Sequence, residues 1–195
     1  MATPPVPDWS KLPKPIDDGA MKHIEGMQMP CLCLTAVDNN NDNDFGINLS
    51  SLRGITVIFA YPRTGKPNVE PKAEWNEIPG ARGCTPQNCS YKNLFEEFKK
   101  HGVRQLFGLS TQTPEYQREL VKRLELPFPQ LCDNNKELTE ALTLPTFEFE
   151  GETMLKRFAM ILYDGLIVKV FYPVFPPDEN ASVVLEWLKK NKSFC

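Results

Sequence analysis

The amino-acid sequence predicts an α/β protein in which a central mixed β-sheet is flanked by helices. Three observations carry that prediction. Short apolar, β-branched runs alternate with amphipathic segments between residues 55 and 142. Asp164-Gly165 joins two further apolar runs, the strongest short signal for a hairpin. The final periodic stretch, residues 180–190, is helical and carries Val184, Trp187 and Leu188.

Taken in order, residues 1–20 hold Pro4, Pro5, Pro7, Pro13 and Pro15, a density that blocks regular structure and predicts an extended arm. Trp9 and Leu12 are its candidate anchors. His23 reads as a surface or packing residue. Residues 30–36 read as a strand whose Cys31 and Cys33 are small apolar side chains. The Asn/Asp-rich stretch 37–45 is a polar loop without the Gly and Glu of a calcium-binding loop. Residues 55–61, Ile-Thr-Val-Ile-Phe-Ala-Tyr, form a buried central strand ended by Pro62.

A connection of about twenty residues follows, 63–83, unusually long for a compact domain and therefore functional or mobile. Trp75 and Ile78 are positioned to pin it. Beyond it a helix begins, with Thr85 as N-cap, Pro86 at N1 and Tyr91, Leu94, Phe95 and Phe98 on one face, closed by Gly102. His101 is a last-turn residue favoured by the helix dipole. Residues 103–110 form a second core strand, and Thr113-Pro114 opens the next helix, with Tyr116, Leu120, Val121 and Leu124 on its face. Residues 126–132 read as an edge strand because of Pro127 and Pro129. Asp133 caps a helix with Leu138, Ala141 and Leu142. The hairpin of residues 158–163 and 166–171 and the last helix complete one domain, 21–195, behind an arm of residues 1–20.

A length of 195 residues suits one full-sized domain. The net charge is -3, and Lys and Arg are scattered, so nothing recruits nucleic acid. No apolar run approaches the ~18 residues of a membrane helix, and the N-terminus lacks a signal-peptide pattern. The expected setting is cytoplasmic. Six cysteines at uneven spacing do not make a disulfide-built secreted scaffold. With two histidines and no Cys-x-x-Cys, neither a metal nor a cofactor is expected.

Residues 83–89, Gly-Cys-Thr-Pro-Gln-Asn-Cys, concentrate the chemistry. A cysteine in the first turn of a helix meets unpaired N–H groups and the positive end of the macrodipole, which favour a thiolate. Cys84 is therefore a candidate nucleophile, and Cys89 is near enough to trap what Cys84 becomes. In an ideal helix, residues five apart have Cα atoms about 8–9 Å apart, whereas a disulfide needs less than about 7 Å. Joining the two would require the first turns to unwind.

The strand ending Phe-x-Tyr-Pro, the Gly-Cys-Thr-x-x-x-Cys at a helix start, the later strand ending Gly-Leu-Ser, and an Arg entering the strand before Asp-Gly together resemble a peroxiredoxin. Within that family the chain is most similar to the bacterioferritin comigratory protein, or peroxiredoxin Q, group, over about residues 30–188. The resemblance implies a thioredoxin-like fold and reduction of hydrogen peroxide and organic hydroperoxides. It also implies recycling by thioredoxin or a glutaredoxin-like dithiol donor. Position by position it makes Cys84 the peroxide-attacking cysteine, Cys89 the resolving cysteine and Arg157 the arginine facing the thiolate. A monomer or homodimer is expected.

Two departures stand out. Where the family has Pro-x-x-x-Thr-x-x-Cys, this chain has Glu77 and Ala81 at the Pro and Thr places, leaving Thr64 and Thr85 as candidate hydroxyls. The group's usual Glu three residues after the cysteine is Gln87. Cys132 and Cys195 are alternative resolving thiols. Rival readings are a thiol-disulfide oxidoreductase, which normally uses Cys-x-x-Cys, and a redox-regulated binding or chaperone-like protein.

Overall fold

The computed structural model describes residues 7–40, 43–66, 69 and 71–191. The start of the arm, the middle of the Asn/Asp-rich loop and Cys195 lie outside them. In chain order the strands and α-helices are β1 (Cys33–Val37), β2 (Phe45–Asn48), β3 (Ile55–Ala60), α1 (Ala73–Glu77), α2 (Cys84–Lys100), β4 (Val103–Ser110), α3 (Pro114–Leu124), β5 (Gln130–Cys132), α4 (Glu137–Ala141), β6 (Thr146–Phe149), β7 (Glu152–Leu155), β8 (Phe158–Tyr163), β9 (Leu166–Phe171) and α5 (Asn180–Lys190), with short 3-10 turns at Trp9–Lys11, inside the proline-rich arm, and at Leu49–Ser51 and Pro177–Glu179.

Seven strands form one sheet in the order β2-β1-β5-β4-β3-β8-β9. β3 runs parallel to β4, and β4 parallel to β5, while β8 returns antiparallel beside β3. All six residues of β3 are buried, as a near-continuous apolar run in a central strand requires, and the one polar member, Thr56, donates to Gln105 Oε1 at 3.3 Å. Its side chains alternate between two cores. Val57 and Phe59 join Tyr91, Phe98, Leu120, Val184 and Leu188 under α2, α3 and α5. Ile58 and Ala60 join Met21, Ile24, Leu138 and Leu142 on the opposite face. The mixed sheet between helices is the thioredoxin-like arrangement that the resemblance implied.

Several expectations are corrected. The stretch 126–132 contributes only the three residues of β5, which lie inside the sheet between β1 and β4. Pro127 and Pro129 precede the strand, so their missing N–H groups cost the ladder nothing. Helix α2 begins at Cys84, with Gly83 at the N-cap at φ +107°, so Thr85 sits inside the first turn. Cys31 and Cys33 are both exposed. Asp133 does serve its helix, but from a distance: Lys136 is the N-cap, and the Asp133 carboxylate accepts from the Leu138 and Thr139 amides at 3.0 and 2.9 Å. The hairpin turn forms at Asp164-Gly165, both at positive φ, as a primed turn requires.

Among its described residues, the long connection is held by tertiary contacts at Arg63 and from residue 72 onward. Trp75 on α1 is buried against Phe147 and Phe149 of the β6–β7 hairpin, with Ile78, Ala81 and Met154 around it. The Arg63 guanidinium lies 4.7 Å from the Trp75 ring centre and pairs with Glu150 at 2.9 Å. Lys72 pairs with the same carboxylate at 2.5 Å.

The described part of the arm, from residue 7, lies across the end of this connection. The Trp9 ring packs edge-on to Phe175 and faces Gly83, where a Cβ would come within 2.8 Å of Trp9 and 2.6 Å of Pro177. Pro15 covers Gly80 in the same way at 3.4 Å. Asp18 ties the arm down by accepting from Lys156 at 2.7 Å and from the Tyr172 hydroxyl at 2.8 Å.

Candidate active site

Topology brings together two residues 73 positions apart. Phe158, the first residue of β8, pairs with Ala60, the last of β3. Arg157 therefore stands at the sheet end from which the chain leaves β3 and to which it returns as α2. Its Nη2 lies 3.2 Å from the Cys84 sulfur. Both residues are buried, Cys84 at 4% exposure and Arg157 at 3%.

The loop before Cys84 supplies the rest of the cradle. Arg157 donates to three consecutive backbone carbonyls, those of Gly80, Ala81 and Arg82, at 3.1 to 3.3 Å. The Ala81 carbonyl also lies 3.6 Å from the Cys84 sulfur and accepts from the thiol when it is protonated. Nη1 of Arg157 donates to the Gln87 side-chain oxygen. Among the described residues, every oxygen partner of this buried cation is thus an uncharged carbonyl. A buried charge is costly unless it is paired, and the group here able to carry the compensating charge is the Cys84 sulfur. With a Glu in place of Gln87, a carboxylate would compete for that role.

Gln87, fully buried on the first turn of α2, is held from behind. Its Nε2 donates to Asn180 Oδ1 at 3.0 Å, and the Tyr91 hydroxyl donates to the same oxygen at 2.8 Å. Asn88, also fully buried, donates to the Cys84 carbonyl at 3.0 Å. The buried side of α2 is therefore polar over its first turns and becomes apolar only at Tyr91. The Tyr91 ring stacks on Phe59 at 3.9 Å and 7°.

The other candidates stand apart from this cradle. Cys89 is half-buried on α2. Burial pushes its thiol up, while the Lys92 and Arg123 charges oppose the shift. Thr64 is buried, but its amide and hydroxyl both face Gln112 Oε1, at 2.9 and 3.3 Å. Thr85 is half-buried in the first turn of α2. Cys132 is buried on β5, where desolvation pushes its thiol up to about 12. His23 bonds the Leu142 carbonyl through Nε2 at 3.0 Å, a packing contact. Among the described residues no group of three or more His, Cys, Asp or Glu side chains can hold a metal ion, and no helix is long and apolar enough to cross a membrane.

Sequence reasoning missed Asn180 and the carbonyl cradle. A polar residue opening an amphipathic helix looks like any cap, and backbone carbonyls leave no mark in a sequence. The polar pair Gln87-Asn88 on the buried side of α2 was the signal available.

Fold and site together define a class: a thioredoxin-like oxidoreductase built around a cysteine at a helix start. The chain belongs to the Redoxin family, whose model matches residues 25–185. Peroxiredoxin Q, chloroplastic, of Sedum lineare is 29% identical over 147 residues, which are 75% of this chain and 70% of the relative. Peroxiredoxin Bcp of Escherichia coli K12 is 29% identical over 150 residues, 74% of this chain and 85% of that protein. The solved structure of peroxidoxin BcpB from Mycobacterium tuberculosis shares the fold, with a TM-score of 0.66 at 19% identity, covering 86% of this chain and 97% of that one. The chain is a peroxidase oxidoreductase of the peroxiredoxin kind.

Proposed function

We propose that this peroxiredoxin reduces hydrogen peroxide and organic hydroperoxides with Cys84 as the attacking thiolate, Arg157 as its electrostatic partner and Cys89 as the resolving thiol. The observation that carries the reading is the buried Arg157 guanidinium 3.2 Å from the Cys84 sulfur, with only neutral oxygen partners otherwise among the described residues.

The chemistry follows from that placement. A thiolate lone pair on Cys84 attacks one peroxide oxygen, an S–O bond forms, and the O–O bond breaks. The other oxygen leaves as hydroxide or alkoxide and takes up a proton. Charge moves from sulfur to oxygen within reach of a fixed five-donor cation, which favours the transition state over the ground state. The sulfenic acid then condenses with the Cys89 thiol, releasing water and forming a disulfide. Thioredoxin or a glutaredoxin-like dithiol returns both sulfurs to thiols and is itself oxidised.

Both cysteines lie in α2, so on this reading the first turns open before the disulfide closes. The polar underside of those turns lowers the cost of opening, and the stacked Tyr91 is where it stops. The reading includes an arm of residues 1–20 on a domain of residues 21–195, and a cytoplasmic monomer or homodimer.

The test is peroxide consumption coupled to a thioredoxin or glutaredoxin system. Cys84→Ser should abolish it. Cys89→Ser should retain one stoichiometric turnover and lose steady-state recycling, and peptide mapping of the oxidised wild type should recover a Cys84–Cys89 disulfide. A wild-type protein that consumes no peroxide with any dithiol donor would overturn the reading.

A further inference from the structure

We infer that Asn180, the first residue of α5, is a positioning residue for the peroxide step, acting through Gln87 on Arg157. The inference rests on the assignment of Arg157 to that step. Asn180 is 3% exposed and lies 93 positions from Gln87 in the chain. No reacting atom is among its hydrogen-bond partners; what it controls is direction.

The directions follow from what each group can do. An arginine side chain has donors only, so Gln87 must turn its Oε1 toward Nη1 of Arg157. That turns the Gln87 amide nitrogen the other way, toward α5, where a donor meets it unless the partner accepts. Asn180 Oδ1 accepts at 3.0 Å, and because the same oxygen faces Tyr91, the tyrosine hydroxyl must donate to it, at 2.8 Å. The chain of bonds thus runs one way, from Tyr91 and Gln87 into Asn180 and from Arg157 into Gln87. Gln87 and Tyr91 are fully buried, so water cannot stand in for a lost acceptor without opening the core.

Asn180 is also rigidly mounted. Ala181, Val184, Leu185 and Leu188 bury α5 in the main core, and Pro177, just ahead of it, packs on Gly83. One short segment therefore grips the loop before Cys84 with Pro177 and the helix after it with Asn180. Removing the Asn180 acceptor frees the Gln87 amide to turn over, which presents Arg157 with a donor and releases Nη1 from its fixed direction. The fork then loses its aim at the sulfur.

The experiment compares Asn180→Leu, which is close in size but accepts nothing, with Asn180→Asp, which keeps the acceptor. The readouts are the single-turnover rate with hydrogen peroxide, the rate of disulfide closure after it, and the melting temperature. Asn180→Leu is expected to slow the peroxide step by about ten- to a hundredfold, as misaimed catalytic groups do, without slowing disulfide closure, because the same substitution removes one of the polar holds on the first turn of α2. Asn180→Asp should restore the peroxide step to within about threefold of wild type, given that its acceptor is retained. Should the leucine variant fail to fold, Asn180→Ala replaces it in the comparison with Asn180→Asp. A folded variant without the acceptor that reacts at the wild-type rate overturns the inference, as does an aspartate variant as slow as the leucine or alanine one. Arg157→Met in the same assay separates the two levels. If it reacts like wild type, the role given to Arg157 fails; if it is slow while Asn180→Leu is not, only the role given to Asn180 fails.

Discussion

Arg157 does with five donors what a single point charge cannot. It spans the carbonyls of Gly80, Ala81 and Arg82, the Gln87 oxygen and the Cys84 sulfur at once. Lysine keeps the charge but not the planar fork. Arg157→Lys is therefore expected to lower the second-order rate with peroxide by about a hundredfold, the scale of losing one aimed donor at a developing oxyanion. Stopped-flow kinetics would check it, and a loss under about threefold would mean that charge alone suffices. The two remaining thiol candidates within the described residues differ just as sharply. Cys132 is buried with its thiol pushed up to about 12, so at neutral pH it is protonated and a weak nucleophile. Cys132→Ser is expected to leave steady-state turnover within about twofold of wild type, whereas Cys89→Ser is expected to stop it.

At the scale of elements, α2 is a helix of two halves. Residues 84–90 are held by polar contacts through Gln87 and Asn88, and the apolar anchorage begins with Tyr91 stacked on Phe59 and on Phe98. Such aromatic pairs contribute about 0.5–1.5 kcal/mol beyond their burial. Amide exchange should accordingly quicken over residues 84–90 after stoichiometric peroxide and stay slow from residue 91 onward. Unchanged protection of the first turns would mean that the disulfide closes without unwinding. This division is visible in the sequence, where Gln87-Asn88 precede the Tyr91, Leu94, Phe95, Phe98 face. The strands β3, β4, β8 and β9 and the helices α3 and α5 were equally legible, each a strong periodic run with a clear turn or cap. The short elements were not. β5 looked like an edge strand because its prolines were counted inside it. The β6–β7 hairpin turns on Glu150-Gly151, whose positive φ values no Asn-Gly or Asp-Gly pair advertises. α1 has five residues and is held by the burial of Trp75 and by Asn76, which accepts from Arg82 at 3.3 Å, rather than by a periodic pattern of its own. The same distinction governs the site: Cys84 and Arg157 lie in recognisable patterns, whereas Asn180 matters only because the fold carries α5 to the start of α2.

At the scale of the molecule, the arm is a strap fastened by charge. Hydrogen bonds from Lys156 and Tyr172 and from the Ala20 amide hold the Asp18 carboxyl down to about 2 from an ordinary 3.8. A lowered value means the folded state prefers the ionised form, so the stabilisation is complete above pH 3.8 and is lost as pH falls through about 2. The arm is expected to become sensitive to proteolysis over that window while the sheet core still resists. Asp18→Asn should make it sensitive at neutral pH, and an arm that stays protected in this variant would place its anchorage elsewhere.

The contact between Trp9 and Gly83 has an optical consequence. The indole lies against the residue that caps α2, and its buried N–H has no acceptor among the described residues, a cost that favours lifting away once the cap moves. If the first turn unwinds as proposed, Gly83 is displaced and that N–H is handed to water, so the cycle is expected to be readable in the emission of this one indole. Tryptophan fluorescence should shift to the red on oxidation by peroxide and recover with a dithiol donor. In Trp9→Phe, with Trp75 and Trp187 still present, the signal should vanish; its persistence there would assign it to another ring.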